Sequence, residues 1–292
     1  MAAETGITRA ADLGEVKAID FVNTFSNSIA DLLQIMGVTR KIILNQDQKI
    51  VTYKTSVEKK DGNVAEGETI PLSSVKREKD KEYEVSLKKY RKAVTLEAIR
   101  RVGKAQALDD TDNLLLYQIQ NDVKSDFFTF LNTAPTTQSF STLQMALSQG
   151  WAKTRNLFKE FGSVPVIHFV NSFDVANYVG ESSISSGPST AFGFSLLQNF
   201  TGQGSVFIFD DVPQGQVYST AANNIAWAYQ SLSGNDLANE FNLTADQTGF
   251  IGMTRGTPRT DNATIETMIL TGSKLFAEIP AGVVKTSIVA GA

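Results

Sequence analysis

The stretch that most constrains this chain is residues 109–133, DDTDNLLLYQIQNDVKSDFFTFLNT. Leu116, Ile119, Val123, Phe127, Phe130 and Leu131 recur at three- and four-residue steps, which places them on one face of a helix. Asp109, Asp110 and Thr111 precede the apolar run and are expected to cap its free N–H groups. Pro135 biases Ala134 away from helical backbone, so the helix should stop there. At about 1.5 Å per residue the rod is roughly 33 Å long. A helix of that length needs a large apolar surface to lie on, and the compact-looking sequence follows it.

What precedes the helix is different. Residues 49–60, KIVTYKTSVEKK, alternate as a two-faced strand does, with Val51, Tyr53, Thr55 and Val57 on one side. A polar stretch, DGNVAEGETIPLSS, follows with Asp61-Gly62 as a turn signal. A second strand-like run, EYEVSLKKYRKAVTLEAI, starts near Glu82. The expected product is a long two-stranded excursion with few core-grade residues near its tip. Isolated ribbons are marginal in water, so this one is expected to lean on another chain.

In the first 45 residues, Phe21, Phe25, Ile29, Leu32 and Leu33 suggest a short helix closed by Gly37. Beyond Pro135, Leu143, Leu147, Trp151, Leu157, Phe158 and Phe161 mark a second amphipathic helix ending at Gly162, with Gly150 a weak point inside it. Residues 164–171 read as a buried strand, and residues 172–180 as a brief helix capped by Ser172 and closed by Gly180. ESSISSGPSTAFG reads as a loop, and strands are expected around Pro213-Gln214-Gly215 and in NNIAWAYQS. The last 30 residues supply two strand candidates.

Charge is divided unevenly. Residues 1–162 carry 23 of the 27 Lys and Arg and 21 of the 31 acids, hence +2 against −6 for the remainder. The basic weight between Lys76 and Lys104 is interleaved with Glu78, Asp80, Glu82, Glu84 and Glu97, which argues against a plain nucleic-acid patch. It reads as a solvated ribbon or as a surface that pairs with another subunit. No apolar run reaches 18 residues, so no membrane span is expected. The opening residues lack a basic start followed by an apolar block, so no secretory signal is expected.

Chemistry-bearing patterns are sparse. Cysteine is absent, which excludes disulfides, thiolate metal sites and cysteine nucleophiles. His168 is the only histidine and lies in an apolar strand, as a core histidine would. Asp210-Asp211 end a strand and point to opposite faces, a poor basis for an all-oxygen metal site. DGNVAEGE lacks EF-hand spacing, TGQGSVF precedes a strand instead of opening a helix, and neither a P-loop nor GxSxG occurs. Asn199, Asn242 and Asn262 match glycosylation triplets only formally. No catalytic residue, metal or cofactor is expected, and the chain should act through shape and surfaces.

The order of parts resembles the major capsid proteins of tailed bacteriophages, the Hong Kong 97-type fold shared with encapsulin shells. The likeness is carried by the charged hairpin with the tip GETIPLSS, the return run KEYEVSLKKYRKAVTLEAI, the acidic cap, the long helix and the ETMILTGSKLFAEIPAGVVK ending. The resemblance implies an α+β chain with an N-terminal arm (1–45), an extended E-loop hairpin (46–95) and a P domain with its spine helix (96–135). An A domain (136–250) and strands returning to the P domain (251–292) complete it. It implies that Lys54, Lys59, Lys60, Asp61, Gly62, Glu66, Gly67 and Glu68 on the E-loop meet a neighbouring subunit. The family's lysine crosslinks would have Lys54, Lys59 or Lys60 as donors.

As a function, the resemblance implies a non-enzymatic subunit that assembles through pentamers and hexamers into an icosahedral shell around double-stranded DNA. Scaffolding, portal and decoration proteins are the further partners, DNA is contacted non-specifically, and no membrane is involved. The location implied is the virion capsid, assembled in the host cytoplasm. The alternatives are an encapsulin-like compartment and a soluble enzyme or binding protein of unrelated fold.

Overall fold

The computed structural model describes residues 7–8, 30–44, 49–181, 204–234 and 236–289. Its helices are α1 (Ala30–Val38), α2 (Leu96–Val102), α3 (Thr111–Asn132), α4 (Leu143–Leu157), α5 (Ser172–Glu181) and α6 (Asp236–Glu240). Its early strands are β1 (Ile7–Thr8), β2 (Arg40–Leu44), β3 (Ile50–Glu58), β4 (Ser74–Tyr83) and β5 (Lys88–Thr95). The middle of the chain forms β6 (Thr136–Phe140), β7 (Val166–Val170), β8 (Ser205–Ile208), β9 (Gln216–Ala221) and β10 (Ile225–Gln230). The end forms β11 (Thr244–Ala245), β12 (Ile251–Arg255), β13 (Thr264–Thr271), β14 (Ser273–Ala277) and β15 (Val284–Ile288).

Helix α3 lies at the centre. Ile119, Val123, Phe127 and Leu131 are buried, and Leu116 and Phe130 pack partly buried against the same core. Phe128 joins them although it falls outside the expected face. The reason is that α3 packs on two sheets at once. Phe127 stacks on Trp227 of β10 at 6.1 Å, while Phe128 meets Phe169 of β7 edge-on at 6.4 Å and Phe209 at 5.3 Å. A helix wedged between two layers buries a wider arc than one lying on a single layer.

The expected cap is corrected. Residues Ala105–Asp110 form a π-helical turn that runs into α3, Asp110 is already helical (φ −65, ψ −42), and no side chain caps the helix there. Thr111 Oγ1 instead donates back to the Ala107 carbonyl at 2.7 Å. Asp109 and Asp112 both accept from Arg255 Nη2 on β12, at 2.8 and 2.6 Å, and Asp112 also pairs with Lys92 on β5. Asp112 is 1% exposed, so the start of α3 is pinned to β5 and β12 by a buried ion pair. The far end stops at Asn132, ahead of Pro135.

Among the described residues the strands form four sheets. One runs β1-β5-β13-β12-β11, with β5, β13, β12 and β11 successively antiparallel and β1 added parallel to β5. A second is β14-β10-β2. The third runs β6-β15-β9-β7-β8, where β9 alone opposes its neighbours. The fourth is β3-β4.

Helix α4 lies on the third sheet, capped by Thr142 Oγ1, which accepts from Met145 N at 3.2 Å. Gly150 is not a weak point. A Cβ there would lie 2.4 Å from Ser219 Oγ, so its missing side chain lets α4 approach β9 closely. Phe158 is buried but Phe161 is exposed and Trp151 half-buried beneath Arg155, because α4 ends at Leu157 and residues 159–161 turn away as a 3₁₀ turn. At α5 the cap is Asn171, whose Oδ1 accepts from Phe173 N at 2.8 Å. Ser172 and Gly180 lie inside the helix. Helix α1 likewise runs through Gly37 to Val38; Phe21, Phe25 and Ile29 lie outside the described residues, as does most of the ESSISSGPSTAFG loop.

Two expectations about the strands are corrected. The run from Glu82 is not one return strand: the hairpin returns along β4, and β5 belongs to a different sheet. The hairpin therefore spans 50–83 and not 46–95. The last residues form three strands in three sheets, and β15 pairs with β6 and β9 instead of joining β5. Short punctuation such as Gly272, or Pro280 to Gly282, is enough to move the chain between layers, and pattern alone does not say which layer receives it.

Candidate functional site

The β3-β4 ribbon is the part of the described chain that its own core does not absorb. Its root is held: Ile50 and Tyr83 pack with Leu44 and Phe276, and the Tyr83 ring stacks on Phe276 at 4.4 Å. Beyond the root nearly every residue is exposed. The antiparallel register puts Val57 opposite Val75, Thr55 opposite Arg77 and Tyr53 opposite Lys79. Paired residues share a face, so Tyr53, Val57 and Val75 form an apolar row on one side. All three stay exposed, Val57 at 65% and Val75 at 68%. The Arg77 guanidinium covers the Tyr53 ring at 4.2 Å. The opposite face carries Lys54 across from Glu78 and Ser56 across from Lys76.

The E-loop residues named from the sequence gather at the outer end of this ribbon, except Lys54, which sits midway along β3. Lys60 Nζ pairs with Glu58 at 2.5 Å, and Lys59 is exposed. Asp61 Oδ1 accepts from Asn63 N at 3.0 Å and the Gly62 carbonyl accepts from Val64 N at 3.2 Å, closing the first turn. Glu68 N donates to the Ala65 carbonyl at 3.1 Å around Glu66 and Gly67; Gly67 has φ +88, a conformation that needs glycine. The sequence reading missed Ile70 and Leu72, which are 69% and 91% exposed. Their signal was two large aliphatic residues flanking Pro71 in an otherwise polar loop.

Surface ion pairs along the ribbon stiffen it little. Lys49 pairs with Glu82 at 3.0 Å, and the hydrogen bond raises the lysine's pKa and lowers that of the glutamate. Both groups are solvated, where such pairs contribute little. Elsewhere His168 is buried, with Nδ1 2.8 Å from Ser219 Oγ. Among the described residues no cluster of His, Asp and Glu could hold a metal, and no helix is long and apolar enough to cross a membrane. The geometry offers a surface and a lever, not a reaction centre.

Comparison with known proteins agrees with that geometry. No family model matches the sequence, and neither does any curated protein. Solved structures do match. The capsid of an empty GTA particle superposes with a TM-score of 0.60 at 10% identity, covering 88% of this chain and 90% of that one. The mature capsid of bacteriophage PhiM1 gives 0.58 at 8% identity, over 86% and 85%. The SrpI encapsulin complex of Synechococcus elongatus gives 0.54 at 10% identity, over 88% and 87%. The mixed helix-and-sheet architecture of this chain is the fold shared by phage capsid and encapsulin shells.

Proposed function

We propose that the protein is the major capsid protein of a tailed phage, a structural subunit that assembles through pentamers and hexamers into an icosahedral shell around double-stranded DNA. The observation that carries this reading is the projecting ribbon. It is anchored only at its root and presents an apolar row that nothing among the described residues covers. A two-stranded ribbon of this kind is marginal alone and becomes stable when a neighbour packs on it. In a shell each such contact can be weak, because closure multiplies it over many copies.

In this reading the ribbon is the E-loop, α3 is the spine helix of the P domain, and the β6-β15-β9-β7-β8 sheet with α4 and α5 is the A domain. The first 45 residues are the N-terminal arm. Scaffolding, portal and decoration proteins are the further partners, packaged DNA is contacted non-specifically, and the virion capsid, assembled in the host cytoplasm, is the location. No covalent chemistry is assigned to Lys54, Lys59 or Lys60.

The likeness to the SrpI encapsulin supports a second reading, a protein compartment. Electron microscopy of the purified protein, with assay of nuclease-protected nucleic acid, tests both. The capsid reading expects closed shells that protect DNA when formed in the presence of a packaging system. Shells holding protein and no DNA favour the compartment. Compact monomers at all concentrations, with or without scaffolding protein, overturn both.

A further inference from the structure

A cleft of about 240 Å³ opens at the root of the ribbon, where β4 meets the end of α3 and β14. Its apolar lining includes Tyr83, Phe130, Phe276 and Val283, and its polar rim carries Lys81 and Lys274. Neither ammonium group has a carboxylate partner among the described residues, and no acidic residue lines the cleft. The opposite end of the ribbon has the complementary character. Between Lys60 and Lys76 the charges are Asp61, Glu66 and Glu68, with no Lys or Arg. Ile70 and Leu72 project from the same tip.

We infer that the cleft is the receptor for the ribbon tip of a second copy, with Ile70 and Leu72 entering the apolar floor and Glu66 and Glu68 meeting Lys81 and Lys274 at the rim. A chain cannot fill its own cleft. The ten residues of β4 separate tip from root by about 30 Å at roughly 3.3 Å per residue. Donor and receptor are different surfaces of one chain, so the contact is head-to-tail, the kind that closes into rings when the rotation allows. Apolar insertion supplies affinity, while the charge match selects register and discourages tip-to-tip pairing of two acidic ends. The contact presupposes the shell reading, since its occupant is another subunit.

Charge exchange in the full-length protein tests it. Lys81→Glu with Lys274→Glu sets like charges against the tip and should raise the threshold concentration for shell formation by roughly tenfold or more. Glu66→Lys with Glu68→Lys should do the same, and the four changes together should restore assembly. All four side chains are exposed, so thermal melting of the unassembled subunit should stay unchanged in each variant. Unimpaired assembly of the cleft variant, while a chain with a shortened tip fails to assemble, overturns this receptor and leaves the ribbon's role intact. Loss of assembly in both double variants without rescue in the quadruple variant also overturns it. Failure of the unaltered protein to form any shell removes the shell reading itself.

Discussion

Helix α3 and the β3-β4 ribbon are both long amphipathic elements that alternate charge with apolar residues, yet the chain treats them oppositely. The helix buries Ile119, Val123, Phe127, Phe128 and Leu131 among its own sheets. The ribbon leaves Tyr53, Val57 and Val75 in solvent. The difference lies in what surrounds each. Two sheets flank the helix, and its N-terminal end is tied to them through Asp112, Lys92 and Arg255. The ribbon touches the core only at Ile50 and Tyr83. One element holds the subunit together, and the other has apolar surface left over for a partner. Apolar patterning alone reports that a surface will be covered, not by which molecule.

The comparison can be broken most severely at Val123. Val123→Asp would place an unpaired carboxylate where the side chain is 6% exposed. That costs several kcal/mol, on the order of a domain's whole margin. The expected outcome is an insoluble or non-cooperatively melting protein; a soluble variant melting like the parent would show that α3 is not the organising core.

A smaller effect is expected at the pinned end. Asp112→Ala leaves Lys92 and Arg255 facing each other without their shared carboxylate, and should lower stability by about 3 kcal/mol in denaturant titration. Burial already lowers the Lys92 pKa, against the pull of Asp112. In the variant that opposing pull is gone and the depression deepens. A depressed lysine makes the unfolded chain bind more protons than the folded one between the two pKa values, so the lost stability should be partly regained as pH rises toward the unfolded lysine value near 10.5. A penalty that grows with pH would contradict the buried-pair account.

The smallest effect on the subunit, and the sharpest contrast, is expected at the ribbon. Replacing residues 61–72 by a two-residue turn removes no core side chain, so the melting temperature of the monomer should not move. Assembly should fail or yield fragile particles, because each copy loses its reach to a neighbour. Sturdy shells from the shortened chain would show that the ribbon is a passive appendage.

Much of this division was legible before any coordinates. The three- and four-residue spacing from Leu116 to Leu131 marks a helix, and the alternation from Val51 to Val57 marks a strand, because both patterns record local backbone geometry. The Pro135 stop and the buried His168 followed from the same local reasoning. The Asx and Thr cap was misread because a π-helical turn upstream supplies helical backbone where solvent was expected. Phe128 escaped notice because one helix face was assumed where two layers press on the helix.

What the sequence by itself determined is therefore the type of each long element, its polarity and its approximate ends. Those follow from side-chain spacing and from the few residues, Pro and Gly above all, that forbid a local conformation. What only the tertiary structure decided is partnership. It sent β5 to β13 and not into the hairpin, and placed β15 beside β9. It turned Gly150 from a weakness into the point of closest approach between α4 and Ser219, and set Lys81 beside Lys274 at one cleft. Strand pairing and cleft formation join residues far apart in the chain. Short linkers of similar composition can direct a strand to any layer, and packing of the whole molecule selects among them.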